Sequence, residues 1–229
     1  MKYGGVSLTG SYHAQNQDSY VARAVSGGHV LAVSDGLGSK IHSRAGSAVL
    51  CLVVCELAAS LRCNISDEEE FIRQLHKGWK ETLQKSYLNP NDCCATALIG
   101  IISARDLWLL RLGDGFVGAW VDDEITVMFD EKNNNFANET DCLGIETDPQ
   151  NWEFRHTTCE CFHGIVAGTD GLMFDNDETV LKKFTVDFCD NYRNLNLSAV
   201  LTDVGEWLPK CKGPDDKTLA FVIGNGLQA

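Results

Sequence analysis

Read for apolar and polar positions, the chain starts with short apolar runs, returns to them in its middle and at its end, and carries two pairs of longer segments with helical spacing. Residues 3–9 and Ser19–Val25 predict the first two strands, with the polar stretch SYHAQNQD between them. Gly27-Gly28 then turns the chain into a buried run, Val30-Leu31-Ala32-Val33, that stops at Ser34-Asp35-Gly36. From about Ser43 to Leu61 a helix is predicted that is apolar on nearly every face, interrupted by Glu56, and so should be buried between layers. A second helix starts where Ser66 or Asp67 can cap it and Glu69 or Glu70 falls in its first turn. Phe71, Ile72, Leu75, Trp79 and Leu83 give it one apolar stripe, and Asn89-Pro90-Asn91-Asp92 follows.

Four runs come next: Ala95–Ile102, Leu107–Leu112, Phe116–Val121 and Ile125–Met128. Their short joints, at Asp106, Gly113-Asp114-Gly115 and Asp122-Asp123, predict a β-meander. The polar stretch Asp130–Gln150, with Asn133-Asn134-Asn135 inside it, is the best loop candidate. Strands near Trp152–Cys159 and Gly164–Ala167, helices over Asp177–Tyr192 and Ser198–Leu208, and a last strand Thr218–Ile223 complete the order. No repeat or linker divides it, so residues 1–229 read as one α+β domain with two sheets and helices outside them.

Charge narrows the class of partner. With 19 Lys and Arg against 32 Asp and Glu the formal net charge is −13, which argues against nucleic acid, whose phosphates need a basic surface. The N-terminus has no signal-like apolar core, and the longest apolar stretch, Ala48–Cys55, is too short to span a bilayer. A cytoplasmic chain, monomeric and unattached to membrane, is expected. Its ten cysteines then read as reduced thiols; Cys93-Cys94 are adjacent and no CxxC occurs, which argues against structural zinc.

Candidate chemistry lies in acidic residues that share one context. Asp18 precedes a strand, Asp35 and Asp170 follow one, Asp114 sits in a tight joint, and Asp215 precedes the last strand. Any single Asp-Gly here reads equally well as a hairpin turn. Asp35 and Asp170, however, lead into helices, where a hairpin explains nothing. Oxygen ligands in this number suit Mg²⁺ or Mn²⁺ rather than zinc.

In their order NQD, SDGLGS, LGDG, TDGL and PDDKT, these segments resemble the metal-dependent protein phosphatases of the protein phosphatase 2C type, especially short bacterial members. The resemblance runs from His13 to Val222. It implies an αββα sandwich of two antiparallel sheets flanked by helix pairs. It also implies a serine/threonine phosphatase that uses two Mn²⁺ or Mg²⁺ ions, with room for a third, and a hydroxide held between them that attacks phosphorus directly. By resemblance Asp35 bridges two ions, the Gly36 carbonyl ligates one, and Asp170 and Asp215 complete the ligand set of the first ion. Asp18 matches a position that holds a metal-bound water, and Asp114 one associated with the third ion. Asp216 stands where the family has Asn or Asp, and Thr218 matches the threonine of that motif. Phosphorylated proteins and a cognate serine/threonine kinase are the implied partners.

Three departures bear on rate. His13 takes the place of an arginine that grips phosphate and lacks its bidentate fork. Gln17 replaces a glutamate, and Leu37 replaces a histidine proposed to protonate the leaving group. These favour a rival from another class, a pseudophosphatase that binds phosphoproteins without turnover. A hydrolase of small phosphate esters is a third reading. His42 reads as a partly exposed cap-region residue, and His29, His76, His156 and His163 as structural. The five tryptophans read as packing residues, and the acid run Asp67–Glu70 as complement to a helix dipole.

Overall fold

The computed structural model describes residues 1–130, 141–144, 149–172 and 177–224; most of the predicted loop Asp130–Gln150 lies outside the described residues. The strands are β1 (Lys2–Leu8), β2 (Ser19–Val25), β3 (Gly28–Ser34), β4 (Ala97–Ile102), β5 (Asp106–Leu112), β6 (Phe116–Val121), β7 (Glu124–Phe129), β8 (Glu153–Thr158), β9 (Phe162–Gly168) and β10 (Lys217–Ile223). The helices are α1 (Ser43–Ser60), α2 (Glu68–Lys85), α3 (Glu178–Tyr192) and α4 (Leu197–Trp207).

Two five-stranded sheets form, in the orders β1-β10-β9-β6-β7 and β2-β3-β4-β5-β8, and every pairing is antiparallel. Both faces of each sheet are covered, which is why β3, β4 and β10 read as unbroken apolar runs instead of alternating ones. In β3, Leu31 and Val33 enter the layer between the sheets with Leu98, Val117, Ile165 and Val222. Val30 and Ala32 point the other way, into a core with Leu50 and Val54 of α1 and Leu75 and Trp79 of α2. On the other sheet, Val166 and Phe221 pack under Leu181 and Phe188 of α3 and Val200 of α4. The result is the expected αββα sandwich.

The caps and faces follow the sequence closely. Asp67 caps α2 through the Glu70 N–H at 3.0 Å. Gly46 of α1 lies so close to Cys93 that a Cβ there would sit 1.6 Å from the Cys93 carbonyl oxygen, and Trp79 Nε1–H donates to the Gly46 carbonyl at 3.0 Å. By length and composition α1 could cross a membrane, yet half its residues are buried inside the fold; Leu52, 48% exposed, lies on the face the apolar pattern placed inside.

One expectation fails. The middle strands are not a single meander: β4 pairs with β5, but β6 pairs with β7 and β9, and the other neighbour of β5 is β8. The chain changes sheets at Gly113-Asp114-Gly115. Both glycines have positive φ, +89° and +87°, and a Cβ would lie 2.4 Å from the Asp141 carbonyl oxygen or 2.7 Å from that of Gly168. Strand spacing is identical for a hairpin and for this crossing, so periodicity cannot separate them.

Candidate metal centre

The end of β3 is held by the start of β4. Asp35 N–H donates to Thr96 Oγ1 at 2.9 Å, Thr96 N–H donates to the Asp35 carbonyl at 2.8 Å, and Ser34 Oγ donates to the Thr96 carbonyl at 2.6 Å. Leu37 N–H continues the ladder to the Cys94 carbonyl at 3.0 Å. At Gly36 a Cβ would meet the Ser43 backbone at 2.7 Å and the Gln17 carbonyl oxygen at 2.9 Å, so only glycine lets these segments close.

Asp18 is buried beside this end. Thr169 Oγ1 donates to its Oδ2 at 2.9 Å and accepts the Thr218 N–H at 3.1 Å, so β9 and β10 jointly aim the carboxylate. Burial pushes Asp18 up to about 6, against the opposing pull of hydrogen bonds from Thr218, Asp35 and Thr169. Asp35 is raised well above the carboxylate range, first by burial, then by the charges of Asp18 and Asp170, its hydrogen bond to Asp18, and the charge of Asp114. Asp18, Asp114 and Asp170 therefore all act on Asp35, and Asp18 and Asp35 are hydrogen-bonded to each other.

The loop before β10 brings the fifth. Asp216 N–H donates to Asp215 Oδ1 at 2.9 Å. Asp216, 2% exposed, is an anchor that sequence reasoning placed but did not explain. Its carboxylate accepts the N–H groups of Gly10 and Gln17, both at 2.7 Å, and faces His13 Nδ1 at 3.1 Å. His13 Nδ1 also lies 3.4 Å from Asp215 Oδ1. His13, Asp215 and Asp216 gather ligand-type atoms within 4.8 Å of one another, a group able to hold a metal ion. The His13 ring is thus tied to the carboxylates through one nitrogen, and its Nε2 faces Gly38, where a Cβ would lie 3.5 Å away.

Two glycines pin this loop. A Cβ on Gly171 would lie 1.8 Å from the Asp216 carbonyl oxygen, so the turn Asp170–Leu172 sits flush against Asp215-Asp216. A Cβ on Gly10 would lie 2.2 Å from the Asp215 backbone. These approaches join segments far apart in sequence, Gly10 lying about two hundred positions before Asp215, and nothing local announces them. The carboxylates fit hard divalent cations: they are oxygen donors, and they crowd together around Asp35. Gln17 Oε1 adds a buried acceptor with no hydrogen-bond partner among the described residues.

The family profile of protein phosphatase 2C matches residues 10–208. The chain belongs to the protein phosphatase 2C family. A search of curated protein sequences found no match. Among solved structures this protein phosphatase 2C chain is similar to a bacterial serine phosphatase at 11% identity and TM-score 0.73, with each chain covered fully. It is similar to the serine/threonine phosphatase Stp1 from Staphylococcus aureus at 12% identity and TM-score 0.69, over 98% of this chain and 95% of that one. It is also similar to the catalytic domain of the serine/threonine protein phosphatase PstP, solved in complex with two manganese ions, at 18% identity and TM-score 0.65, over 96% of each chain.

The remaining histidines lie elsewhere. His42 precedes α1, exposed and making no side-chain cap bond. His29 contacts Tyr3, His156 stacks on Trp108 and bonds Asp106, His163 stacks on Trp120, and His76 bonds the Gly144 carbonyl.

Proposed function

We propose that this chain is a Mn²⁺- or Mg²⁺-dependent phosphatase that hydrolyses phosphoserine and phosphothreonine in proteins, working in the cytoplasm against a serine/threonine kinase. The observation that carries this reading is the convergence of Asp18, Asp114 and Asp170 on Asp35.

Asp35, the Gly36 carbonyl, Asp170 and Asp215 would hold two cations, with Asp114 and Asp18 serving a third ion or a bound water. When bound, these ions supply charge neutralisation for a phosphoryl group and activation of water. The chain's own contribution is placement. Thr96 fixes Asp35, Thr169 fixes Asp18, and Asp216 fixes His13. His13 offers Nε2 on the side of Gly38. With Gln17 and Leu37 in place of charged or proton-donating residues, good leaving groups should be favoured.

A specific observation favours the rival: His13 is already engaged by Asp216 and Asp215, so its grip on phosphate is weaker than that of a free arginine. The deciding experiment is hydrolysis of para-nitrophenyl phosphate and a phosphothreonine peptide with Mn²⁺, with EDTA, and by Asp35→Asn. Turnover of both substrates that chelator and substitution abolish is expected. Folded, Mn²⁺-loaded protein that turns over neither would establish the non-catalytic binder, and turnover of small esters alone would exclude a protein substrate.

A further inference from the structure

The acidic balance of the chain is not evenly spread. Asp18 and Asp35 are the only acidic residues before Glu56, and both belong to the candidate metal centre. Two segments from this region border that centre. Residues 9–17 reach it through the Tyr12 N–H on the Pro214 carbonyl at 3.0 Å and through His13 on Asp215 and Asp216. Residues 36–44 run from Gly36 past Gly38, which faces His13 Nε2 and Gln17 Oε1. Arg44 ties the two together by donating to Gln15 Oε1 at 3.1 Å.

This rim is basic and partly apolar in a chain of net charge −13. It carries Lys40 and Arg44, and neither forms an ion pair among the described residues. The His42 N–H anchors this segment to the Asp92 backbone carbonyl at 2.8 Å. Two large apolar side chains stand out of it, Tyr12 at 75% exposure and Ile41 at 81%. Neither belongs to a hydrophobic core cluster. The charge is complementary to acidic peptide, and the apolar tips suit one neighbouring side chain.

Resting on the phosphatase reading, we propose that Tyr12, Lys40, Ile41 and Arg44 form the docking rim for the residues that flank a phosphorylated serine or threonine. The rim selects sites with acidic neighbours and an apolar residue over sites with basic neighbours. Phosphate engages the metal centre, while Lys40 and Arg44 draw in the flanking carboxylates and Tyr12 and Ile41 bury the apolar side chain.

The test uses the full chain loaded with Mn²⁺ and three phosphothreonine peptides: acidic flanks with one leucine, acidic flanks without it, and basic flanks. Fluorescence anisotropy gives Kd, steady-state hydrolysis gives kcat/KM, and para-nitrophenyl phosphate turnover runs alongside. The acidic peptides should bind about three- to tenfold more tightly than the basic one at low salt, with the gap closing toward 0.5 M NaCl. Lys40→Glu with Arg44→Glu should erase that gap through KM with para-nitrophenyl phosphate turnover unchanged. Tyr12→Ser with Ile41→Ser should remove the advantage of the leucine. Equal Kd for all peptides, or a preference for basic flanks, would overturn the rim. Loss of para-nitrophenyl phosphate turnover in the parent protein would sink the phosphatase reading instead, and the Kd values would still decide the rim.

Discussion

Asp18 is a carboxylate that folding places where it resists ionisation. Its pKa of about 6 in the fold lies above the ordinary 3.8. The folded chain therefore binds more protons than the unfolded one between these values, and stability falls as pH rises through that window. The shift corresponds to a loss on the order of 3 kcal/mol by pH 7.5 in metal-free protein. Urea unfolding with EDTA should accordingly give a higher midpoint at pH 5 than at pH 7.5, and Asp18→Asn, which keeps the shape without the charge, should reduce the difference while Asp35 keeps part of it. Equal or greater stability of the parent at pH 7.5 would contradict this account. The same residue shows what a sequence can reveal about a site. Asp18, Asp35, Asp114 and Asp170 were legible because each sits at a strand end in a context that turn chemistry alone does not explain. The work of Asp216 was not legible, because its three donors come from Gly10, His13 and Gln17, about two hundred positions away. Thr169 was equally hidden, since a threonine before Asp170 gives no hint that its hydroxyl serves Asp18.

At the scale of elements, hydrophobic pattern carried nearly all strands and helices, because a sheet covered on both faces imposes long apolar runs and a surface helix imposes a stripe. What it could not carry was partner choice. The crossing between sheets at Gly113-Asp114-Gly115 has the length of a hairpin, and the contacts that decide it, with Asp141 and Gly168, are distant in sequence. The meeting of the Asp170–Leu172 turn with the loop before β10 is of the same kind, and it tests the centre directly. In Gly171→Ala the new methyl would have to displace the Asp216 backbone, parting Asp170 from Asp215. Destabilisation above about 3 kcal/mol is expected, large for a single methyl and typical of forced backbone movement. Folded protein should in addition show weakened Mn²⁺ binding by calorimetry. Unchanged stability together with unchanged Mn²⁺ affinity would show that the two turns are not in register as described.

For the whole molecule, the question is whether the excess negative charge is tolerated as a solvated surface or held in reserve for cations. A general self-repulsion across a chain of net charge −13 would be relieved by any salt, since exposed charges are screened within about 10 Å at 0.1 M. Convergent buried carboxylates are different: screening reaches them poorly, and an ion seated among them offsets the crowding of charge around Asp35. Mn²⁺ at a hundred times its Kd should add about 2.7 kcal/mol to the folded state. In a chain of this length that raises Tm by about 5–10 °C. NaCl at equal ionic strength should not reproduce the rise, and Asp35→Asn should largely abolish it while keeping the response to NaCl. If NaCl alone gives the same increase, or if Asp35→Asn responds to Mn²⁺ as the parent does, the stabilisation belongs to the surface and the carboxylates do not act as a cation site.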